Sequence, residues 1–455
     1  MTHLLDQPRR VHLVGIGGAG MSGIARILIQ RGHRVSGTDL REGRVLAELR
    51  ALGADVQVGH DAAHLGDAEV VVLSTAVPPT NPEVVAARDQ GRTVLRRAEM
   101  LAALMVDDLA VLVAGTHGKT TTTSMAVVAL QAAGRDPSFA IGGSLNESGT
   151  NAHGGTDRLF VAEADESDRS FLAYRPDLAV VTNLEHDHPD EFRDEEDVQG
   201  AFDAFLARRT PGAITWVCAD DPGAVRLAER TADVRTYGTS PGTDVRLVTA
   251  DDGTSRLRAD GQDVAPLELA VPGWHNLLNA TAAVALCTSL EVDPEAAARG
   301  LARFTGAARR FQRLGTAGGV TVVDDYAHHP TELRATLAAA RQQEAERVVV
   351  VVQPHRYSRT QALGAELGRA AAAAELVLVT DVYASSEAPV PGVSGAIVAD
   401  AARSAGANVR YVPHLGDVVA ALLDDVRPGD LVLVTGAGDV TQVGPGLLTR
   451  LRERS

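Results

Sequence analysis

The chain is poor in the residues that several classes of protein require. Its 455 residues include only two cysteines, Cys218 and Cys287, which lie far apart in apolar stretches and predict buried thiols rather than a disulfide or metal framework. No stretch approaches the roughly 20 apolar residues of a membrane-spanning helix, and the N-terminal segment lacks the hydrophobic core of a signal peptide. We therefore expect a cytoplasmic protein without stable membrane association.

The chain also has fewer basic than acidic residues. The chain carries 43 lysine and arginine residues against 59 aspartates and glutamates, which gives a formal net charge of -16. A general nucleic-acid binder needs a basic face, so this balance argues against nucleic acid as a partner. The length exceeds the size at which one hydrophobic core keeps growing and predicts two or three domains, while nothing in the sequence indicates an oligomeric state.

Lysine is almost absent, because Lys119 is the only one in the chain. A composition that uses arginine everywhere else predicts a task at this position that the wide guanidinium fork cannot perform. Lys119 lies in Gly115-Thr116-His117-Gly118-Lys119-Thr120, between a strand-like run, 109–114, and a helical stretch. This arrangement is typical of a loop that holds the β and γ phosphates of a nucleotide. The loop is shortened, with two residues instead of four between its glycines, and an exposed surface lysine is the alternative.

Short β-branched runs alternate with alanine-rich helical stretches along the chain, which predicts a parallel α/β fold in three domains. We place the domains at 1–106, 107–315 and 316–455. Within the middle domain, residues 245–271 alternate in polarity and carry DDG and ADG turn signals, which predicts a small antiparallel hairpin insertion. The strands predicted for the first domain are 11–14, 34–37, 56–58, 70–74 and 93–95.

A glycine motif opens the first domain. Gly15, Gly17 and Gly20 follow a strand in GxGxxG spacing, and Asp39 ends the next strand. Glycines at these positions let the backbone approach a diphosphate at a helix N-terminus. The motif does not choose among NAD, FAD and a nucleotide sugar, and a purely structural tight turn remains an alternative.

Acidic and histidine-containing segments follow two strands of the middle domain. Glu163 ends one strand, where its carboxylate and the hydroxyl of Thr120 would suit Mg²⁺ bridging nucleotide phosphates. His186 and His188 follow another strand, at the edge where the sites of open α/β sheets gather. For each segment the alternative is an exposed acidic loop.

Two further segments are typical of a site that uses ATP. In GWHNLLNA, residues 273–280, amides and an imidazole could recognise the edges of adenine, although helix capping by Asn276 would explain the same residues. Arg309 and Arg310 could neutralise phosphoryl oxygens during transfer. A surface pair held in salt bridges is the alternative for these two arginines.

Together, the motifs GTHGKT, EADESD, NLEHDH, GWHNLLNA and GAARRFQ resemble, in this order, the Mur ligase family of ATP-dependent amide-forming enzymes of peptidoglycan synthesis. The resemblance covers nearly the whole chain. It implies an N-terminal Rossmann-like domain for a UDP group, a central P-loop ATPase-like domain and a C-terminal Rossmann-like domain for an amino acid. The segments GIGGAGMSGIA, DDYAHHPTEL and QPHRYSRT resemble the members that join L-alanine to UDP-N-acetylmuramate, with ATP and Mg²⁺, through an acyl phosphate.

The resemblance also implies roles for individual residues. The substrate diphosphate would lie against Gly17, Gly18, Gly20, Met21 and Ser22, and the uridine near Asp39 and His60. ATP would be held by Gly115, Thr116, His117, Gly118, Lys119, Thr120 and Thr121, with its adenine or reacting phosphate facing His275, Asn276 and Asn279. The metal ligands would be Thr120, Glu163 and His188. The alanine and muramyl groups would meet Tyr326, His328, Arg356 and Arg359. The catalytic residues would be Lys119, His188, Arg310 and His328.

The chain departs from the family in two places. Pro189 follows His188 where the family commonly has an apolar residue, which bears on the backbone of that loop. Other Mur ligases carry a carbamylated lysine near the second metal, and this chain has no lysine left for that role.

Three other functions stay open at this stage. A nicotinamide oxidoreductase would leave GTHGKT unexplained, and a regulatory nucleotide-binding module would bind ATP without turnover. A murein tripeptide ligase should lack QPHRYSRT, which favours free alanine as the acceptor.

Overall fold

The computed structural model describes residues 4–454, so the outermost ends of the predicted first and third domains, residues 1–3 and 455, lie outside the described residues. The chain forms two compact units. The larger unit contains the chain up to Leu184 together with Gln199–Glu268 and Asn279–Arg303. The smaller unit contains Glu185–Val198, Leu269–Leu278 and the chain from Phe304 onwards. None of the helices in residues 4–454 is long and apolar enough to cross a bilayer.

The first sheet of the larger unit is wholly parallel, with strand order β3-β2-β1-β4-β5, and it confirms the Rossmann-like prediction. Its apolar runs are buried because helices cover it, as parallel sheets require. The local sequence fixes the start of helix α3: the Asn81 side chain caps the helix by accepting a hydrogen bond from the Glu83 amide at 2.9 Å, and Pro82 is the first helical residue. The elements are β1 Arg10–Val14, α1 Ala19–Gln30, β2 Arg34–Asp39, α2 Arg44–Ala51, β3 Asp55–Val58, β4 Val70–Leu73, α3 Pro82–Asp89, β5 Thr93–Arg96 and α4 Arg97–Leu104.

The second sheet, also in the larger unit, has the order β15-β14-β13-β12-β11-β10-β6-β9-β7-β8. Its centre is parallel, whereas β13, β14 and β15 run antiparallel at one edge. The predicted insertion is therefore confirmed, as three strands. Asp260 and Gly261 both have positive φ, 50° and 74°, and form the two-residue turn between β14 and β15. The elements are β6 Leu109–Ala114, α5 Lys119–Ala132, β7 Ser138–Ala140, β8 Ala152–His153, β9 Leu159–Glu163, β10 Leu178–Val181, α6 Glu195–Leu206, β11 Ile214–Cys218, α7 Pro222–Ala228, β12 Val234–Gly238, β13 Val245–Thr249, β14 Ser255–Ala259, β15 Gln262–Pro266, α8 Trp274–Ser289 and α9 Pro294–Leu301.

The third sheet, in the smaller unit, has the order β16-β17-β21-β18-β19-β20, and only its edge strand β16 pairs antiparallel among the described strands. Separate apolar clusters cover its two faces, as in the Rossmann-like fold predicted for the C-terminal domain. The elements are β16 Gln312–Ala317, β17 Val320–Asp325, α10 Pro330–Arg341, β18 Arg347–Val352, α11 Tyr357–Ala371, β19 Leu376–Val379, α12 Ala396–Ser404, β20 Val409–Tyr411, α13 Leu415–Asp425, β21 Asp430–Thr435 and α14 Val443–Arg454.

The two cysteines are buried free thiols, as the composition predicts. Burial raises the pKa of Cys218 to about 11 and that of Cys287 to about 12. Both therefore stay protonated at neutral pH and serve as core residues.

Candidate active site

The loop between β6 and α5 has the shape of a phosphate cradle. Gly115 and Gly118 have φ values of 130° and 81°, which side chains rarely adopt. A Cβ on Gly115 would lie 2.0 Å from the Thr182 hydroxyl oxygen, and a Cβ on Gly118 would lie 2.8 Å from Oδ1 of Asn279. Gly118 caps α5 without a side-chain hydrogen bond, and Thr121 is buried in the first turn. The N-terminus of α5 thus lies at the loop, where the helix dipole favours an anionic ligand.

Thr182 and Asn183, which follow β10, fix the conformation of this loop through hydrogen bonds. The Thr116 amide donates to the Asn183 carbonyl at 3.0 Å, and the His117 amide donates to Oδ1 of Asn183 at 2.8 Å. In return, the His117 carbonyl accepts from the Thr182 hydroxyl at 2.6 Å and from Nδ2 of Asn183 at 3.0 Å. His117 therefore contributes its backbone to the loop, and Asn183 is a supporting residue that sequence reasoning did not single out.

Lys119 is held inside the loop. Its ammonium donates to the carbonyls of Gly115 at 2.7 Å and Thr116 at 3.2 Å, and to both carboxylate oxygens of Glu166, at 2.7 and 3.0 Å. Burial alone would lower the pKa of Lys119, but the charges of Glu166 and Asp165 raise it. The Glu166 side chain is only 2% exposed, and burial raises the pKa of its carboxyl against the opposing effect of Lys119. Lys119 is therefore a firmly protonated cation beside the helix N-terminus.

The predicted oxygen pair for a divalent cation comes together beside this lysine. The Thr120 hydroxyl donates to Oε2 of Glu163 at 3.1 Å, and the Gly142 amide donates to Oε1 at 2.6 Å. Deeper in α5, the Thr122 hydroxyl donates to Oδ1 of Asn279 at 3.2 Å, which ties α8 to the loop. A hydroxyl and a carboxylate at the mouth of a phosphate loop fit Mg²⁺, which prefers hard oxygen ligands.

The glycine motif of the first sheet forms a second cradle. The Gly17 amide donates to Oδ2 of Asp39 at 2.9 Å, and a Cβ on Gly17 would lie 2.8 Å from the same oxygen. Gly18 caps α1 without a side-chain bond, and a Cβ on Gly20 would lie 3.0 Å from Cδ of Arg97. Asp39 thus braces the loop as well as standing at the end of β2, where a nucleoside is expected.

Three other residues predicted for the UDP site lie around this cradle. Met21 and Ser22 are buried in α1, where the Ser22 hydroxyl donates to the Ala19 carbonyl at 3.0 Å. His60 follows β3, and its Nδ1 lies 3.1 Å from both the Thr38 hydroxyl oxygen and Oε1 of Glu83. His60 therefore stands at the sheet edge that carries the glycine loop.

In the smaller unit, Arg359 is the centre of a buried polar cluster. Its guanidinium donates from Nε to Asp187 at 2.8 Å, from Nη1 to Nδ1 of His355 at 3.1 Å and from Nη2 to Nδ1 of His188 at 3.3 Å. Burial would raise the pKa of Asp187, but the charge of Arg359 and the nearby histidines lowers it far below its usual range. His188, which precedes Pro189, has a φ of 54° in the left-handed region. Such strain persists where the surrounding contacts hold the backbone.

A second cluster in this unit surrounds Tyr326. The guanidinium carbons of Arg309 and Arg310 each lie 5.0 Å from its ring centroid. His328 donates from Nδ1 to the Tyr326 carbonyl at 2.9 Å, and its amide donates to Oε2 of Glu332 at 3.1 Å. Burial lowers the pKa of His328 to about 4, which keeps its imidazole neutral.

The other residues of the smaller unit that were predicted for the site are Arg356, His275 and Asn276. Arg356 pairs with Asp190 and begins α11 in a strained conformation, φ 65° and ψ 144°. Burial lowers the pKa of His275 to about 4. The Asn276 side chain donates from Nδ2 to the Pro272 carbonyl at 2.6 Å, which differs from N-capping, where the side chain accepts from a backbone amide of the first turn.

Sequence reasoning missed the acids that organise these clusters. Asp325, at the end of β17, accepts from the amides of Phe311 at 2.7 Å and Ala327 at 2.8 Å. Burial raises its pKa to about 6. Glu166 and Asp187 were likewise visible only as parts of the motifs EADESD and NLEHDH.

Known proteins resemble the chain along nearly its whole length. Residues 10–108 match the catalytic domain of the Mur ligase family, 113–287 the Mur ligase middle domain and 309–438 the Mur ligase glutamate ligase domain. A UDP-N-acetylmuramate–L-alanine ligase of Kineococcus radiotolerans is 53% identical over 98% of this chain and 97% of its own length. The ligase of the same name from Acidothermus cellulolyticus is 52% identical over 99% of this chain and 96% of its own.

A solved structure extends the likeness to the fold. The crystal structure of UDP-N-acetylmuramate-alanine ligase from Thermotoga maritima has a TM-score of 0.81 at 28% identity, covering 98% of this chain and 100% of that one. The murein peptide ligase of Psychrobacter arcticus has a TM-score of 0.73 at 23% identity and supports the fold alone. With relatives above 50% identity over nearly their full length, the chain belongs to the Mur ligase family.

Proposed function

We propose that the protein joins L-alanine to the lactyl carboxylate of UDP-N-acetylmuramate, with ATP as the source of energy, and releases ADP and phosphate. The geometry of the Lys119 loop supports the use of ATP, because a glycine cradle, a helix N-terminus and a fixed ammonium converge there. The choice of substrates rests on relatives above 50% identity that carry this activity in their names. We place the reaction in the cytoplasm, where ATP is available, as a step in peptidoglycan precursor synthesis.

The three sheets suggest a division of labour. We assign residues 1–106 to the UDP group, 107–315 to ATP and 316–455 to the amino acid. The glycine cradle braced by Asp39 supports the first assignment, and the phosphate loop supports the second. The cationic clusters of Arg356 and Arg359 support the third, since the acceptor carries a carboxylate.

The chemistry follows from the poor reactivity of a carboxylate as an acyl donor. A lactyl oxygen attacks the γ-phosphorus of ATP, ADP leaves, and an acyl phosphate forms. The neutral amine of L-alanine then attacks the acyl carbon, and the tetrahedral intermediate collapses to the amide and phosphate. Negative charge moves onto the phosphoryl oxygens in the first step, so a cation fixed in advance at that position lowers the barrier. Lys119 is the residue held for that task.

Mg²⁺ would be held by Glu163 and Thr120, whose oxygens already face each other. When bound, it would neutralise phosphate charge. His188, which the family resemblance implies as a metal ligand, must meet a condition before it can bind a metal. Because Arg359 only donates, Nδ1 of His188 accepts, and a neutral imidazole then carries its proton on Nε2. His188 can bind a metal through Nε2 only when that contact with Arg359 is released.

The amino acid site would use Arg356, Arg359, Tyr326 and His328. Guanidinium groups bind carboxylates through paired hydrogen bonds, which suits the carboxylate of L-alanine. Arg359 is only 3% exposed and already paired with Asp187, so it forms the base of the site. Arg356 is the more accessible of the two.

The experiment that tests this function measures phosphate release with UDP-N-acetylmuramate and one acceptor at a time. We expect release with L-alanine and none with a murein tripeptide or without the UDP substrate. ATP binding without turnover would instead indicate a regulatory module. A change in NADH absorbance would indicate an oxidoreductase.

A further inference from the structure

A buried glutamate organises one end of the first sheet. Glu83 lies in the first turn of α3, and its side chain is 0% exposed. Its Oε2 contacts Nε2 of His12 at 3.0 Å and the Thr38 hydroxyl at 2.7 Å. Its Oε1 contacts Nδ1 of His60 and the amide of Asp61, each at 3.1 Å. Four polar groups from three parts of the chain therefore converge on one carboxylate.

These contacts determine which atoms carry protons. An ionised carboxylate accepts hydrogen bonds and donates none, with room for about four. Burial would raise the pKa of Glu83, but hydrogen bonds from His12, Thr38 and His60 lower it, so the carboxylate is ionised at neutral pH. Each of its four partners must then donate. Nδ1 of His60 consequently carries a proton, and Nε2 of the neutral ring carries a lone pair.

Both ring nitrogens of His12, the other histidine in contact with Glu83, have hydrogen-bond partners. Its Nε2 donates to Glu83, so its Nδ1 accepts, and the Ser36 hydroxyl lies 2.9 Å from that atom. His64 is the other titratable group facing this carboxylate, with Nδ1 at 3.9 Å from Oε1, beyond hydrogen-bond range. The other donors around Glu83 keep their hydrogen bonds to it, so this network imposes the tautomer of His60.

The position of His60 indicates what its free nitrogen would meet. Within residues 4–454, no hydrogen-bond partner is found for Nε2, and the side chain is 15% exposed. His60 contacts Thr38, the penultimate residue of β2, next to Asp39. In this fold, the end of the second strand receives the nucleoside of a bound nucleotide. The ligand group nearest His60 is therefore a ribose hydroxyl or a base edge.

We propose that Glu83 is a positioning residue that holds His60 as a hydrogen-bond acceptor for a donor on the nucleoside of the UDP substrate. That donor is a ribose hydroxyl or the N3–H of uracil. The inference rests on the proposed function, since it requires a UDP group in the first domain. This arrangement would also make the site selective, because a nucleoside with a hydrogen-bond acceptor at that position would face the lone pair on Nε2 of His60 and bind more weakly.

Glu83→Gln tests the inference with little change in shape. The carboxamide is uncharged and its oxygen accepts more weakly than a carboxylate, so the Nδ1 proton of His60 is held less firmly and the ring can adopt the opposite tautomer. We expect the KM for UDP-N-acetylmuramate to rise about tenfold, the loss of one hydrogen bond to the ligand. The KM for ATP, the KM for L-alanine and kcat should change by less than about twofold. Glu69→Gln, the same exchange at a partly exposed carboxylate that pairs with Arg10 at the start of β1, is the matched control and should leave all four values unchanged.

A double-mutant cycle separates positioning from a merely structural effect. If Glu83 acts through His60, then His60→Leu should weaken binding of UDP about tenfold. Adding Glu83→Gln to that variant should weaken it little further. Additive losses would overturn the proposal. In binding experiments with the wild-type protein, 2′-deoxy-UDP or 3′-deoxy-UDP binding about tenfold weaker than UDP would identify a ribose hydroxyl as the donor. CDP alone binding weaker would identify N3–H. Equal binding of all four would contradict a donor at His60.

Nitrogen NMR of the wild-type imidazoles keeps the inference testable if Glu83→Gln does not fold. We expect His60 to be protonated at Nδ1 and unprotonated at Nε2, with the Nε2 resonance shifting when UDP binds. A proton on Nε2 in the free protein would overturn the proposal. Phosphate release by the wild-type protein is measured alongside, so that a failed ligase activity is recognised as a failure of the proposed function instead.

Discussion

Replacing Lys119 by arginine keeps the charge and changes only its shape. The ammonium directs its three donors to two loop carbonyls and to Glu166, with contacts of 2.7, 3.2, 2.7 and 3.0 Å. The donors of a guanidinium lie in one plane on a larger group, so they cannot meet all of these acceptors at once. Glu166 is buried and cannot move into solvent to make room. The arginine would therefore displace the loop or lie outside it.

The size of the effect follows from what the lysine does. Loss of one charged donor aimed at the transition state costs about 2.7–4 kcal/mol, or about 10²- to 10³-fold in kcat. Crowding a packed site costs about 1–3 kcal/mol of folding free energy, which a chain of this size should survive. We thus expect Lys119→Arg to fold and to lose ligase activity by at least two orders of magnitude.

The assay is phosphate release at saturating ATP, UDP-N-acetylmuramate and L-alanine, with circular dichroism to establish folding. Arg299→Lys is the matched control, because Arg299 lies on the exposed face of α9 in an ion pair with Glu295. That exchange should leave kcat unchanged. Turnover near the wild-type rate in Lys119→Arg would refute the assignment of Lys119 to the phosphates.

Three other predictions concern the acceptor site, the histidines and the single lysine. Arg359→Ala should raise the KM for L-alanine far more than the KM for ATP in steady-state kinetics, and equal effects on both would reject the assignment. Burial lowers the pKa of His275 and His328 to about 4 and that of His355 to about 3. The unfolded chain therefore binds more protons once the pH falls below about 6.5, the ordinary pKa of histidine. Stability measured by urea unfolding should then fall between about pH 6.5 and 4, by up to about 1.4 kcal/mol per pH unit for each histidine. A flat profile would contradict their burial. An amine-acylating reagent should inactivate the enzyme in step with modification of Lys119, with protection by MgATP and not by L-alanine alone. Mass spectrometry of that peptide gives the readout, and full acylation with an unchanged rate would remove Lys119 from the chemistry.

Local sequence patterns account for much of the fold. The strands of the first sheet were predictable because β-branched apolar runs between turn residues are buried from both sides in a parallel sheet. The antiparallel edge at 245–271 was predictable from Asp260-Gly261, which suits a turn with two positive φ values. That the insertion has three strands was not predicted, because pairing partners depend on the whole sheet.

The site was predictable where a motif is contiguous and not where distant segments meet. The phosphate loop and its lysine were visible because their chemistry lies within six consecutive residues. The pairing of Lys119 with Glu166 was not, since EADESD offers four acids and only the structure shows that Glu166 is the one buried against the ammonium. Asp187 and Arg359 are 172 residues apart in the chain, so their contact has no local signal.

The central claim is that the lactyl carboxylate is activated as an acyl phosphate, and oxygen transfer tests it most directly. UDP-N-acetylmuramate labelled with ¹⁸O in the lactyl carboxylate is converted with ATP and L-alanine, and the released phosphate is examined by mass spectrometry. Because the attacking carboxylate oxygen stays with phosphorus when the amine displaces phosphate, one ¹⁸O should appear in each phosphate formed. Amide formation that leaves the phosphate unlabelled would contradict the account.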